Sequence, residues 1–316
     1  MKYLVTGGAG FIGSHIVEKL IEMNVKVRVV DNLSTGDFAN IQPFLGQIEF
    51  ICGDLADYQV ALKATDGIDY ILHQAAIPSV PRSIDDPIAT NNSMVTATLN
   101  LFCAAKENKS IKRIVQASSS AIYGSTRDLP IREETTPNPV SPYAVAKLAQ
   151  ENYGKVFYDA YGLEVISLRY FNVFGPRQNV LSLYAAAIPK FISQIVKNES
   201  PTIFGDGETT RDFVYIDNVV SANLLACHAD WRGTAEAVNI GGNDRMSLNR
   251  LVENINKLLS KNIKPVYEGE KPGDIKHSFA DINKANSLLG YNVEISTLDG
   301  LQRCIEWHIQ KIRRSE

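Results

Sequence analysis

Tyr143 and Lys147 stand four residues apart in a run that reads helical, and Ser118, Ser119 and Ser120 close an apolar run, Ile114 to Ala117, that reads as a buried strand. A spacing of four puts the phenol and the ammonium on one helix face, about one turn apart. An ammonium beside a phenol favours the phenolate, so Tyr143 is a candidate base near neutral pH and Lys147 the group that depresses its pKa. A serine hydroxyl at the end of a neighbouring strand can reach the same point. Many amphipathic helices carry this spacing and do no chemistry. The pair gains meaning only from the elements that position it.

Those elements begin with Tyr3-Leu4-Val5, a short strand that runs into Gly7-Gly8-Ala9-Gly10-Phe11-Ile12-Gly13. A helix follows with an apolar stripe of Ile16, Val17, Leu20 and Ile21, then a strand through Val25, Val27, Val29 and Val30 to Asp31. The glycines allow a tight turn and close approach of a pyrophosphate to the amides at the helix N-terminus. Asp31 lies eighteen residues beyond Gly13, near the spacing of a ribose-binding acid. A carboxylate there accepts ribose hydroxyls and repels a 2′-phosphate, which favours NAD over NADP.

The alternation continues. Ile48 to Cys52 reads as a strand leading to Gly53-Asp54-Leu55, where a polar group can stand by an adenine ring. Tyr70-Ile71-Leu72 leads to His73-Gln74-Ala75-Ala76, whose small residues let backbone approach the cofactor. His73 itself reads as a packed strand-end residue. A helical pattern covers Thr90 to Ala105, and a second long helix begins near Tyr143. Repeated units of this kind predict an α/β chain with a doubly wound parallel sheet, its ligands beyond the carboxyl ends of the strands.

After Leu168 the pattern loosens. Pro201–Phe204 and Phe213–Ile216 read as short strands, Leu248–Leu259 and Leu298–Ile312 as helices, with a Gly/Pro-punctuated loop from Glu268 to Asp274. The expected division is a dinucleotide-binding domain over 1–172, with 213–240 returning to it. Segments 173–212 and 241–316 then form a smaller, interleaved α/β substrate domain.

The 316 residues are 45% hydrophobic and 21% charged, with a net charge of −3. That balance gives no nucleic-acid or polybasic membrane footprint. No apolar stretch approaches a membrane span, and the N-terminal apolar run is too short for a signal peptide. Cys52, Cys103, Cys227 and Cys304 are far apart and lack metal-ligand spacing, as expected of free thiols in a reducing compartment. The expectation is a cytoplasmic protein without a metal.

Taken together, Thr6–Gly13, Asp31-Asn32-Leu33-Ser34-Thr35-Gly36, Ser118–Gly124, Tyr143-x-x-x-Lys147, Arg169–Gly175, Arg211-Asp212 and Pro272-Gly273-Asp274 resemble the extended short-chain dehydrogenase/reductase family, and within it the UDP-hexose 4-epimerases. The resemblance covers essentially the whole chain and implies a Rossmann-type sheet. By that resemblance Gly7, Gly10, Phe11, Ile12, Gly13, Asp31, Asn32, Ser34, Thr35, Gly36, Asp54, Leu55, Gln74, Ala75 and Ala76 hold NAD. It also makes Tyr143 the base at the C4 hydroxyl and has Lys147 hold the nicotinamide ribose. Ser119 then hydrogen-bonds the C4 oxygen with Ser120 beside it, and Phe171 walls the nicotinamide. Asn172, Arg211 and Lys271 fall where the family holds the diphosphate, Thr202, Ile203 and Phe204 where it grips uracil, and Ser79 and Asp274 elsewhere in its substrate site. A homodimer is implied, pairing helices Thr90–Ala105 and Tyr143–Tyr161.

Three positions depart from the family's pattern. Lys271 stands where many members carry an arginine, keeping the charge without the fork. Met94 stands where an asparagine is usual, with Asn91 and Asn92 as candidate substitutes, and Ala97 replaces a glycine. Ser278 occupies a position often held by tyrosine in members restricted to glucose and galactose. Its small side chain, with Ser79–Ser83, implies room for an N-acetyl group at C2, hence UDP-GlcNAc/UDP-GalNAc as well as UDP-Glc/UDP-Gal. Dehydration needs acids where Ser120 and Ala121 stand. A UDP-glucuronate 4-epimerase or decarboxylase stays open, as does a non-catalytic NAD-binding sensor or scaffold.

Overall fold

Seven strands form the main sheet in the order Glu236–Ile240, Val165–Tyr170, Arg113–Ser119, Tyr70–His73, Lys2–Thr6, Lys26–Asp31 and Ile48–Cys52. All are parallel. This is the expected doubly wound arrangement, seen in a computed structural model that describes residues 1–126, 128–179, 187–230, 235–270 and 276–315. Strands covered on both faces read as nearly continuous apolar runs. Alternate residues serve opposite layers: Leu4, Ile71 and Ile114 join one apolar cluster, and Val5, Leu72 and Val115 join the other. The first layer packs on helices Tyr58–Thr65, Ala97–Glu107 and Pro142–Tyr161, and the second on Phe11–Glu22 and Ile216–His228. Each fully buried Leu or Ile contributes about 1.5–3 kcal/mol, so the two clusters hold the sheet rigid beneath its loops.

Parallel crossovers bring the carboxyl ends of the strands to one edge. Gly7, Asp31, Gly53, Gln74, Ser119 and Phe171 therefore stand along one rim. Strand order reverses between Lys2–Thr6 and Tyr70–His73, the place where such sheets open a crevice.

The helix predicted over Thr90–Ala105 is broken into Pro87–Asn91, a wide π-type turn over Asn92–Thr96, and Ala97–Glu107. Met94 is fully buried, and its carbonyl accepts the Thr98 hydroxyl at 2.5 Å and the Gln150 amide at 3.2 Å. A threonine hydroxyl bonded back one turn distorts a helix in this way. The long helix Pro142–Tyr161 is regular. Ser141 caps it through the Ala144 N–H, Pro142 opens it, and Gly162 ends it in the left-handed region.

In the second half, Arg245–Ser247, Thr210–Tyr215 and Asn172–Phe174 make a three-stranded sheet, and Val266–Glu268 pairs with Thr202–Phe204. Residues 213–215 thus stand in the small sheet, whereas helix Ile216–His228 and strand Glu236–Ile240 lie with the large one. Among the described residues no helix is long and apolar enough to cross a membrane. All four cysteines are free, and no described His/Cys/Asp/Glu group could hold a metal ion.

His73 is packed at its strand end, its ring nitrogens 2.7 Å from the Thr6 hydroxyl and 2.9 Å from that of Thr98. Burial pushes its pKa down from 6.5 to about 3, with Lys147 adding to the effect. Between those values the unfolded chain binds a proton that the folded chain does not, so stability falls as pH falls through that window. Thermal unfolding followed against pH should show this slope in the wild type and a flatter one in His73→Gln; equal slopes would contradict it.

Candidate active site

The turn after the first strand owes its shape to glycine at two points. Gly7 has φ +65°, and a Cβ there would lie 2.8 Å from the Ala75 backbone; a Cβ on Gly13 would lie 2.2 Å from the Gly7 carbonyl. Backbone is thus packed on backbone, and helix Phe11–Glu22 opens behind Gly10, whose position carries no side-chain cap. Uncapped amides at a helix N-terminus form an anion site. They border a cleft of about 590 Å³.

The cleft is lined by Gly7, Gly10, Phe11, Ile12, Gly13, Asp31, Asn32, Ser34, Thr35, Asp54, Leu55, Gln74, Ala75 and Ala76, fourteen residues that the sequence assigns to a dinucleotide. Asp31 is held by the Ala9 and Leu33 N–H groups at 2.9 and 2.8 Å, which oppose the rise in its pKa caused by burial. Asn32 donates to Asp54 at 2.9 Å, and Gln74 to Asn223 at 3.0 Å. A turn for the pyrophosphate, an acid for a ribose and small residues at the strand ends fit NAD. Gly36 instead packs behind Asp31 and Ala9. Phe171 is 3% exposed in a cluster with Ile122, Tyr123, Ile131 and Ala280. Asn91 and Asn92 are exposed, and Ser93 of the widened turn and Ala97, which opens the next helix, line the cleft in their place.

Beside the cleft stands the Tyr–Lys helix. Ser119 ends its strand, its hydroxyl accepts the Ala121 N–H at 3.2 Å, and it stands close enough to the Tyr143 phenol to favour its ionised form. The Tyr143 amide donates to the Ser83 hydroxyl at 3.1 Å, tying in the helix that Ser79 caps. Lys147 is buried and donates to the Ala117 carbonyl at 2.6 Å. One turn on, Gln150 bonds Thr98 at 2.5 Å and Met94 at 3.2 Å, so the helix and the cleft wall are tied together.

The electrostatics differ from the spacing argument. Lys147 is expected to depress the Tyr143 pKa, yet burial raises it, and the Ser119 hydroxyl pulls it down. The same burial pushes Lys147 down to about 7, with Glu151 opposing, and its amine donates to a backbone carbonyl.

Beneath these groups runs a network that the spacing of Tyr143 and Lys147 does not announce. Glu151 accepts Arg169 at 3.0 and 2.7 Å and the Ser118 hydroxyl at 2.5 Å. Arg169 also donates to Tyr123, whose hydroxyl donates to Asn239 at 2.7 Å. Glu151 repeats the i, i+4 spacing from Lys147, the one signal that could have revealed it.

The remaining predicted residues lie in the second half. Asn172 donates to the Asp212 carbonyl at 3.0 Å, and Arg211 to the Thr210 and Lys276 carbonyls at 3.1 and 3.4 Å. Thr202 and Phe204 flank buried Ile203 in their short strand. Ser278 is buried, its N–H on the Thr210 carbonyl at 3.1 Å. Two residues on, Ala280 joins the cluster under Ile122 and Tyr123. Ser120 opens the 3₁₀ turn that follows Ser119. Lys271 and Asp274 lie outside the described residues.

Known proteins share this architecture. The model of the NAD dependent epimerase/dehydratase family matches residues 3–241. A putative UDP-glucose 4-epimerase of Methanocaldococcus jannaschii is 39% identical, over 96% of this chain and 97% of its own. The UDP-N-acetylglucosamine 4-epimerase of Methanobrevibacter ruminantium M1, solved in complex with UDP-N-acetylmuramic acid, is 42% identical with a TM-score of 0.92, covering 98% of each chain. The UDP-glucuronic acid 4-epimerase of Bacillus cereus, solved with UDP-glucuronic acid and NAD, is 32% identical with a TM-score of 0.90, covering 98% of this chain and 100% of that one. With its glycine turn, its Asp31 and its Ser–Tyr–Lys group on the same sheet, this chain belongs to the NAD dependent epimerase/dehydratase family.

Proposed function

We propose that the chain inverts the C4 hydroxyl of a UDP-hexose through a 4-keto sugar. The observation that carries this reading is the gathering of Ser119, Tyr143 and buried Lys147 at the strand-end rim beside the NAD cleft. The chemistry NAD supplies when bound is acceptance of a hydride from C4 and its return to the other face. Tyr143 removes the hydroxyl proton and gives it back, Ser119 holds the C4 oxygen, and Lys147 orients the nicotinamide ribose. Ser120 lines the sugar site, and Phe171, from its apolar cluster, backs the nicotinamide wall.

In this reading Asn172, Arg211 and Lys271 hold the diphosphate, Asp274 serves the substrate, and Thr202 and Phe204 grip the uracil. A guanidinium presents two parallel N–H groups to a phosphate, so Arg211 sets orientation as well as charge. Ser79 and Ser278 border the sugar. Ser278 carries a far smaller side chain than the tyrosine often found at this position, which supports UDP-GlcNAc and UDP-GalNAc alongside UDP-Glc and UDP-Gal. Val145 and Val156, more than half exposed, lie three turns apart on one face of the Tyr–Lys helix. They suit pairing with a second copy of the chain.

Purified protein given UDP-galactose, UDP-GalNAc or UDP-glucuronate, without added NAD, should convert at least one of the first two to its C4 epimer. Conversion of the glucuronate alone would move the assignment to a uronate epimerase or decarboxylase. No conversion while NAD is bound would favour a sensor. Tyr143→Phe should lower kcat by about 10²–10⁴-fold; wild-type rates in that variant would remove Tyr143 from the chemistry. Because burial holds the phenol above its ordinary value, its deprotonated fraction grows with pH. The rate should therefore climb across the neutral range, and a flat pH–rate profile would contradict Tyr143 as base. Ser278→Tyr should reduce turnover of the N-acetylated pair and spare the plain hexoses. Undiminished N-acetyl activity would end the steric argument.

A further inference from the structure

The cofactor cleft has a wall that comes from the far end of the chain. Trp307 and Lys311, on helix Thr297–Ser315, line the same cleft as the glycine turn. They are one turn apart on one helix face, and the Lys311 ammonium sits 5.0 Å from the indole centroid. Leu301, Cys304, Ile305 and His308 bury the opposite face in the core. The helix is thus fixed by its apolar side, while an indole and a cation look across at an uncapped helix N-terminus.

Arg177 and Gln178 border the same space. Arg177, at φ +65°, binds Glu18 through Nη2. Its Nη1 and the Gln178 Oε1 are buried and find no partner among the described residues. Buried polar atoms are nearly always satisfied, so an unsatisfied donor and an unsatisfied acceptor on neighbouring residues of the cleft wall mark a place where a ligand completes the set. A dinucleotide offers what both need: phosphate oxygens for the guanidinium and ribose hydroxyls for the amide oxygen.

We propose that the C-terminal helix is part of the NAD site, with Trp307 and Lys311 closing over the diphosphate opposite Gly10–Gly13 and Arg177 completing that wall. The helix slows release of the cofactor between turnovers. This inference rests on NAD as the cofactor and holds whichever sugar is turned over.

The test is the rate at which labelled NAD leaves the purified holoenzyme during a chase with excess unlabelled NAD. Lys311→Glu and Trp307→Ala should release it about tenfold faster or more, the effect expected for loss of one charge-assisted or stacking contact. Lys311→Arg should restore slow release. Trp231 is the other tryptophan of the chain, so in a W231F background removal and return of NAD should change the emission of Trp307 itself. A helix that only stabilises the fold would not give that signal. Equal release rates in all variants, or an emission indifferent to NAD, would overturn the proposal. A wild-type chain that takes up no labelled NAD would overturn the cofactor assignment with it, a result distinct from equal release.

Discussion

One carboxylate, Glu151, ties the reacting helix to the sheet. It is 9% exposed, accepts Nε and Nη2 of the Arg169 guanidinium, and accepts a hydrogen bond from the Ser118 hydroxyl. Removing one partner of a buried ion pair costs about 3–5 kcal/mol, whereas replacing the whole pair by apolar groups is often neutral. The value of this pair is therefore in placement. It fixes helix Pro142–Tyr161 against strands Arg113–Ser119 and Val165–Tyr170, so that Ser119 and Tyr143 meet. It also faces the charge of Lys147 and opposes the burial that pushes its pKa down.

From that anchor the site is built by topology. Seven parallel strands deliver backbone, small residues and acids to one rim, and the reversal of order between Lys2–Thr6 and Tyr70–His73 opens it. The packing of Gly7 and Gly13 leaves no room for a Cβ, and the distorted turn at Met94 brings Ser93 and Ala97 to the same wall. Most of the cleft's walls are the ends of core elements. The small sheet contributes its residues from a separate layer.

Much of this is legible in the chain because the physics is local. Ile48–Cys52 and Leu248–Leu259 begin and end where their periodicity places them, and the glycine turn with Asp31 defines the cleft from 31 residues of sequence. The misses are non-local. Thr90–Ala105 keeps a helical pattern, yet its break depends on Thr98 and Gln150 competing for one carbonyl. The Tyr143 pKa runs opposite to the pairwise expectation because burial acts on phenol and ammonium alike. Trp307 and Lys311 reach the cleft from nearly three hundred residues beyond the glycine turn, a juxtaposition that no spacing rule encodes.

In the proposed reaction Ser119, Tyr143 and Lys147 support a reversible oxidation at C4 by NAD. A UDP-hexose deuterated at C4 tests it most directly. The C4-inverted product should keep the deuterium on C4, since the hydrogen leaves and returns without meeting solvent. Inversion with loss of the label to water would contradict it.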